Sequence, residues 1–114
     1  MPRSVVVFVT CASAAEARRI ASSVVESRLA ACANLLPGPV ESVYRWKGKV
    51  ERAKERLLLI KTTRANFPAL RDAVRRMHSY DVPEIIALPI AGGLPAYLAW
   101  IADSVSTAKK RIGR

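Results

Sequence analysis

The sequence predicts an α+β domain in which an antiparallel sheet carries its helices on one face. Three observations point there. Residues 5–9 and 57–60 are unbroken apolar runs of strand length. Two segments with apolar residues at helical spacing lie between strand-like stretches. The resulting order along the chain is β-α-β-β-α-β, followed by a short terminal helix.

Val5-Val6-Val7-Phe8-Val9 is β-branched and aromatic throughout, the pattern of a central strand buried on both faces. Ser13, with Glu16 three residues on, reads as a capping box that opens a helix. Ala17, Ile20, Ala21, Val24 and Val25 give that helix one apolar stripe, and it is expected to run to about Arg28. Residues 29–36 are small and apolar with no assigned element, and Pro37-Gly38-Pro39 forces a bend. Val43, Tyr44 and Trp46 mark a strand from Val40, and Gly48 marks a hairpin turn.

Residues 50–61 are rich in helix formers, so propensity alone favours a helix. A helix of that length needs one apolar arc, whereas mostly polar residues here precede four consecutive apolar ones. A long strand fits better, with its first half in solvent or against a partner and its second half crossing the core. Asn66 is placed to cap a second helix, with Pro68 in the first turn and a stripe of Phe67, Leu70, Val74 and Met77. Residues 84–90 read as another strand, and Pro95 opens a last helix with Tyr97, Leu98, Ile101 and Val105 near one face. This order is the split βαβ, ferredoxin-like arrangement, whose middle strands are the first and third.

The chain has 114 residues, enough for one domain, here expected over 1–106 with a basic tail at 107–114. No apolar run approaches the roughly 20 residues of a membrane span. The formal net charge of +10 invites a nucleic-acid reading, but Lys109, Lys110, Arg111 and Arg114 concentrate part of it in the tail. The two cysteines, Cys11 and Cys32, form no C-x-x-C pair, and no export signal is evident. The expected location is the cytoplasm.

Among enzymes, a cysteine hydrolase would have to pair Cys32 with His78, the single histidine, and nothing local supports that pairing. An RNA-binding sheet stacks bases on aromatic side chains of its middle strands, and here only Phe8 is available, so a nucleic-acid module would rely on basic charge alone. Thiolate with imidazole suits copper or zinc, and Asp81 and Glu84 could add carboxylate ligands. One Cys and one His do not close a four-coordinate site in a single chain. Cys32 among small apolar residues also fits a buried inert thiol, and His78 fits a cation at a helix C-terminus. These readings stay open on the residues alone.

The segments Leu29-Ala30-Ala31-Cys32-Ala33-Asn34, Tyr44-Arg45-Trp46-Lys47-Gly48-Lys49, Lys61-Thr62, His78-Ser79-Tyr80-Asp81-Val82-Pro83-Glu84 and Tyr97-Leu98-Ala99-Trp100-Ile101 together resemble the divalent cation tolerance protein CutA family. The resemblance covers about residues 5–105. It implies a homotrimer of ferredoxin-like subunits, non-enzymatic, concerned with divalent metals. Copper or another divalent metal is the implied ligand, and no metal is needed for folding. Carried over by position, the metal residues are Cys32 and His78. Trp46, Lys61, Tyr80, Asp81 and Glu84 are the candidate subunit-cleft residues. A cleft of that kind could instead hold a small anion on Lys61, as in a metabolite-sensing signalling trimer, or be an interface network without a ligand. Two departures stand out: Ser79 and Asp81 replace the family's usual Pro and Glu. Val9 and Cys11 flank Thr10 where some members have Cys before the threonine.

Overall fold

Val5, Val7, Val9 and Cys11 are buried while Val6, Phe8 and Thr10 between them are only partly so. That alternation organises the whole molecule. A computed structural model of the chain describes residues 3–105, so the basic tail expected at 107–114 lies outside the described residues. Strand β1 (Ser4–Cys11) runs into helix α1 (Ala14–Glu26), and strands β2 (Cys32–Leu35), β3 (Val40–Trp46) and β4 (Lys49–Thr63) follow. Helix α2 (Phe67–Met77), strand β5 (Ile85–Pro89) and helix α3 (Pro95–Ser104) complete the fold.

All pairings are antiparallel, in the order β2-β4-β1-β5. The middle strands are therefore β1 and β4, the two with unbroken apolar runs. β4 is one strand of 15 residues in spite of its helix-forming composition. Its second half pairs with β1 from Cys11↔Arg56 to Ser4↔Thr63, and its first half extends beyond the sheet as an arm paired with β3 from Val40↔Glu55 to Trp46↔Lys49. Lys47 (φ 51°) and Gly48 (φ 78°) close the arm, positive at both central positions as a two-residue hairpin of matching twist requires.

The structure corrects the reading of residues 29–36, which contain β2, from Cys32↔Lys61 to Leu35↔Leu58. β2 and β3 both pair along the same side of β4, and the Pro37-Gly38-Pro39 segment separates them. Prolines lack the N–H a ladder needs, and Gly38 takes φ +72° there.

One face of the sheet is covered by α1 and α2, with Ile20, Val24, Leu70 and Val74 packed on Val5, Val7, Val9, Leu58 and Ile60. The opposite face is covered only in part in the single chain, where α3 lies against β4 and β1, so the expectation that the first strand is buried on both faces is corrected. Across that face run Lys61, Val6 and Leu88, then Leu59, Phe8 and Ile86. Ile86 and Leu88 are 50% and 41% exposed. α3 packs separately, through Ile101 and Val105, on Ala31 and Ile90.

The helix ends show how local chemistry is used. Ser13 Oγ accepts from the Glu16 N–H at 3.1 Å, and Glu16 Oε1 accepts from the Ala12 N–H at 3.1 Å. This is the reciprocal arrangement of a capping box, shifted by one residue on the return bond. The helix stops at Glu26, with Ser27 at its C-cap and Arg28 at φ 64°. Asn66 occupies the position before α2, but its side chain makes no capping bond and its Nδ2 is buried without a partner among the described residues. No helix among the described residues is long and apolar enough to cross a membrane.

Candidate functional site

Where the β3–β4 arm leaves the sheet it faces the connection between α2 and β5. A cleft of about 650 Å³ opens between them. Its walls carry four carboxylates, Glu41, Glu55, Asp81 and Glu84, the aromatic rings of Tyr44, Trp46 and Tyr80, and Thr10 at the end of β1. Among the described residues no lysine or arginine lines it, in a chain whose formal net charge is +10. Carboxylates converging from three segments make this a local negative basin that attracts cations by the field they sum.

Glu55 stands where the polar half of β4 meets the apolar half, and it is 7% exposed. The Tyr80 hydroxyl donates to Glu55 Oε2 at 2.7 Å. Burial and the Glu55 carboxylate both push the Tyr80 phenol well above its usual value, so it stays a donor. Asp81, Glu84, Tyr44 and Trp46 are exposed, which leaves oxygen donors and ring faces open to a ligand.

Behind this cleft, His78 is fully buried at its side chain. Its Nε2 donates to the Thr10 carbonyl at 2.8 Å, and its Nδ1 accepts from the Tyr80 N–H at 3.1 Å. A carbonyl can only accept and an amide N–H can only donate, so the ring is held as the neutral Nε2–H tautomer. Glu16 lies alongside, its Oε2 3.8 Å from His78 Nδ1 and accepting from the Ser79 N–H at 2.7 Å. Burial works to raise the Glu16 carboxyl, but the hydrogen bonds it accepts at Ser79 and Ala12 outweigh it and hold the group below its ordinary value. Cys11 completes the cluster. Burial first, then the Glu16 and Glu55 carboxylates, push its thiol up to about 12, with Arg19 opposing.

Cys32 belongs to a different neighbourhood. It is half-buried at the edge of the sheet face opposite α1 and α2, directly opposite Lys61 in the ladder. Lys61 Nζ reaches Cys32 Sγ at 3.9 Å and bonds Asn34 Oδ1. Tyr97 borders the same thiol: burial and Cys32 together raise its phenol.

Of the residues read from the sequence, Trp46, Tyr80, Asp81 and Glu84 do come together, in the cleft. Lys61 does not. It sits opposite Val6 while Thr10 marks the cleft, four residues further along β1 or roughly 13 Å at the rise of a strand. Within one chain Lys61 therefore stands apart from this cleft, whereas the anion reading concerned a cleft between subunits. The same spacing separates Cys32 from His78, which moreover lies with Cys11 on the helix-covered side. Within one chain a single ion cannot bridge Cys32 and His78, and a Cys32–His78 hydrolase is not built. Glu41, Glu55 and Tyr44 were not singled out by sequence. Their nearest signal is the placement of acids beside aromatic residues on the arm, and of Glu55 at the polar-to-apolar junction of β4.

Comparison with known proteins gives concordant results. The family model described as "CutA1 divalent ion tolerance protein" matches residues 5–104. Over 99 residues the chain is 50% identical to the "Divalent-cation tolerance protein CutA" of Thermus thermophilus, covering 87% of this chain and 95% of that protein. It is 48% identical over 101 residues to "Protein CutA, chloroplastic" of Arabidopsis thaliana, covering 89% of this chain and 55% of the relative, so it spans about half the length of that plant protein. Among solved structures, the divalent cation tolerance protein of T. thermophilus superposes with a TM-score of 0.87 at 48% identity, covering 90% and 99% of the two chains. Oryza sativa CutA1 gives 0.88 at 46%, covering 94% and 97%.

Proposed function

The chain belongs to the CutA1 divalent ion tolerance family, and we propose that it serves that role by binding the cation itself, as a cytoplasmic homotrimer and not as an enzyme. The observation that carries this reading is the cleft: among the described residues its walls carry four carboxylates and no cationic side chain, within a strongly basic chain. Exposed oxygen donors suit a divalent ion that keeps part of its water shell. Copper is the candidate the sequence resemblance suggests.

Association as a trimer is supported by what a single chain leaves unsatisfied. Ile86 and Leu88 present exposed apolar surface beside part-buried Val6 and Phe8 on the sheet face opposite α1 and α2. β3 pairs only with β4 among the described strands, so its outer edge offers unpaired backbone groups. A binding role fits the chemistry of the buried cluster too. The Cys11 thiol stays protonated at neutral pH, and both His78 ring nitrogens are already engaged, so neither is poised as nucleophile or base.

The test is calorimetric titration of copper(II) into the wild type and an Asp81→Asn, Glu84→Gln double variant. Neutralising two exposed carboxylates of the cleft is expected to weaken binding by tenfold or more, about 1.4 kcal/mol. Equal affinity in the two proteins would refute the cleft as the cation site. Light scattering on the eluting peak tests the assembly, three chain masses being expected and a single chain mass contradicting it.

A further inference from the structure

We propose that the acidic cleft also takes an organic cation, a linear alkyl oligoamine, held by its ammonium groups on the carboxylates and by its methylene chain on the aromatic rings. The inference rests on the reading of the cleft as a cation site and names a second class of ligand for it. The first observation is size. At about 650 Å³ the cleft falls within the range of pockets that hold small organic molecules, about 300–1,000 Å³. Six waters around a metal ion, at about 30 Å³ each, fill about 180 Å³ of it.

The second observation is the chemistry of the walls. Tyr44 and Trp46 stand two apart on β3 and so share a face of the arm, while Tyr80 lines the cleft from the α2–β5 connection. A metal ion bound through oxygen and water gains no coordination bond from a ring. An alkylammonium gains twice: its charge is attracted to a ring face within about 6 Å, and its CH₂ groups bury apolar area there. The chain itself supplies an example, for Lys47 Nζ, a primary ammonium, stands 5.9 Å from the centroid of the Trp46 ring.

The third observation is a buried charge without a counter-charge. Glu55 is 7% exposed, and among the described residues it forms no ion pair; the Tyr80 hydroxyl brings it only a neutral donor. Buried carboxylates are almost always paired, so Glu55 calls for a cation from outside the chain. Glu41 stands beside it at the base of the arm, through the Val40↔Glu55 and Glu41↔Lys54 pairs, and Asp81 and Glu84 belong to the opposite wall. Two pairs of acids on two walls, with rings on both, match a molecule with a positive charge at each end and an apolar middle. Three ammonium groups offset most of the four negative charges, where a divalent ion offsets half. Both ligand classes use the same carboxylates, so amine and metal compete.

Spermidine is the probe, titrated by calorimetry into the full chain at about 0.15 M salt, which screens loose surface attraction. Copper(II) is titrated separately. The wild type is expected to bind one spermidine per chain. Asp81→Asn with Glu84→Gln weakens both ligands at least tenfold, whereas Trp46→Leu weakens spermidine at least fivefold more than it weakens copper(II). Trp46→Phe keeps a ring and stays within about threefold of the wild type for spermidine. Tyr44→Leu is expected to act as Trp46→Leu does, and it carries the test if circular dichroism shows Trp46→Leu unfolded. Equal spermidine affinity in the wild type and the ring variants overturns the inference, because adsorption to an acidic surface needs no rings. Copper(II) bound at the carboxylates with no spermidine bound also overturns it, while leaving the metal reading of the cleft intact. Spermidine bound with this dependence on the rings, in a chain that takes no copper(II), upholds the inference and refutes copper as the ligand. If neither binds, both readings fall.

Discussion

Replacing Glu16 by Gln is the perturbation whose size the structure fixes best. Glu16 is 5% exposed and accepts two backbone donors, the Ala12 N–H at 3.1 Å and the Ser79 N–H at 2.7 Å, one on each oxygen. The amide of Gln has one acceptor oxygen, so one of these N–H groups must face an N–H. A hydrogen bond to a charged acceptor contributes about 1.5–3 kcal/mol, and the variant should lose about 2 kcal/mol at pH 7. The deficit depends on pH with a definite sign. The fold holds the Glu16 carboxyl below its ordinary value, so between the two values the unfolded chain binds more protons than the folded one. This contribution is fully present above the ordinary carboxylate range and drains away as pH falls through the lowered folded value. Urea unfolding of both proteins at fixed protein concentration, at pH 7 and at pH 3, should therefore show a gap of about 2 kcal/mol that narrows in acid. Equal stability at pH 7, or a gap that does not change with pH, would refute the assignment of Glu16 as the charged clasp between α1 and the segment after α2.

Three further outcomes follow from named contacts. Thr62 is fully buried and its hydroxyl donates to the Leu29 carbonyl at 2.6 Å, so Thr62→Val should cost about 1–2 kcal/mol in thermal unfolding by orphaning that acceptor. Iodoacetamide at pH 8 should modify half-buried Cys32 and spare fully buried Cys11, whose thiol is pushed up to about 12, until denaturant is added; mass spectrometry of the peptides reads this directly. Gly48→Val places a β-branched residue at φ +78° and should cost about 1–2 kcal/mol of local stability, seen as faster amide exchange confined to the β3–β4 arm.

What could be read from the sequence was what nearby residues determine. The apolar run of β1, the Ser13 cap, the stripes of α1 and α2 and the Gly48 turn all depend on contacts within a few positions, and each is present. β4 was legible because its segregation of polar from apolar residues overrode a helical composition. β2 was not: four small residues carry little signal, and only pairing with the second half of β4, far along the chain, makes them a strand. The cleft was half legible. Trp46, Tyr80, Asp81 and Glu84 were marked by motif, but Glu41 and Glu55 join them only because the arm faces the α2–β5 connection where it leaves the sheet. His78 was read as a helix-end cation or a ligand partner of Cys32. Its decisive contact is a backbone carbonyl 68 positions away, which no side-chain pattern announces. Glu16 shows the same limit. Its cap bond to Ala12 is local, whereas its bond to Ser79 spans 63 positions.

The central claim is that a cation is held by the carboxylates of the cleft. The most direct measurement is an anomalous difference map from crystals of the chain soaked in copper(II). The account predicts a peak among Glu41, Glu55, Asp81 and Glu84; a map with copper bound elsewhere and no density at those carboxylates would contradict it.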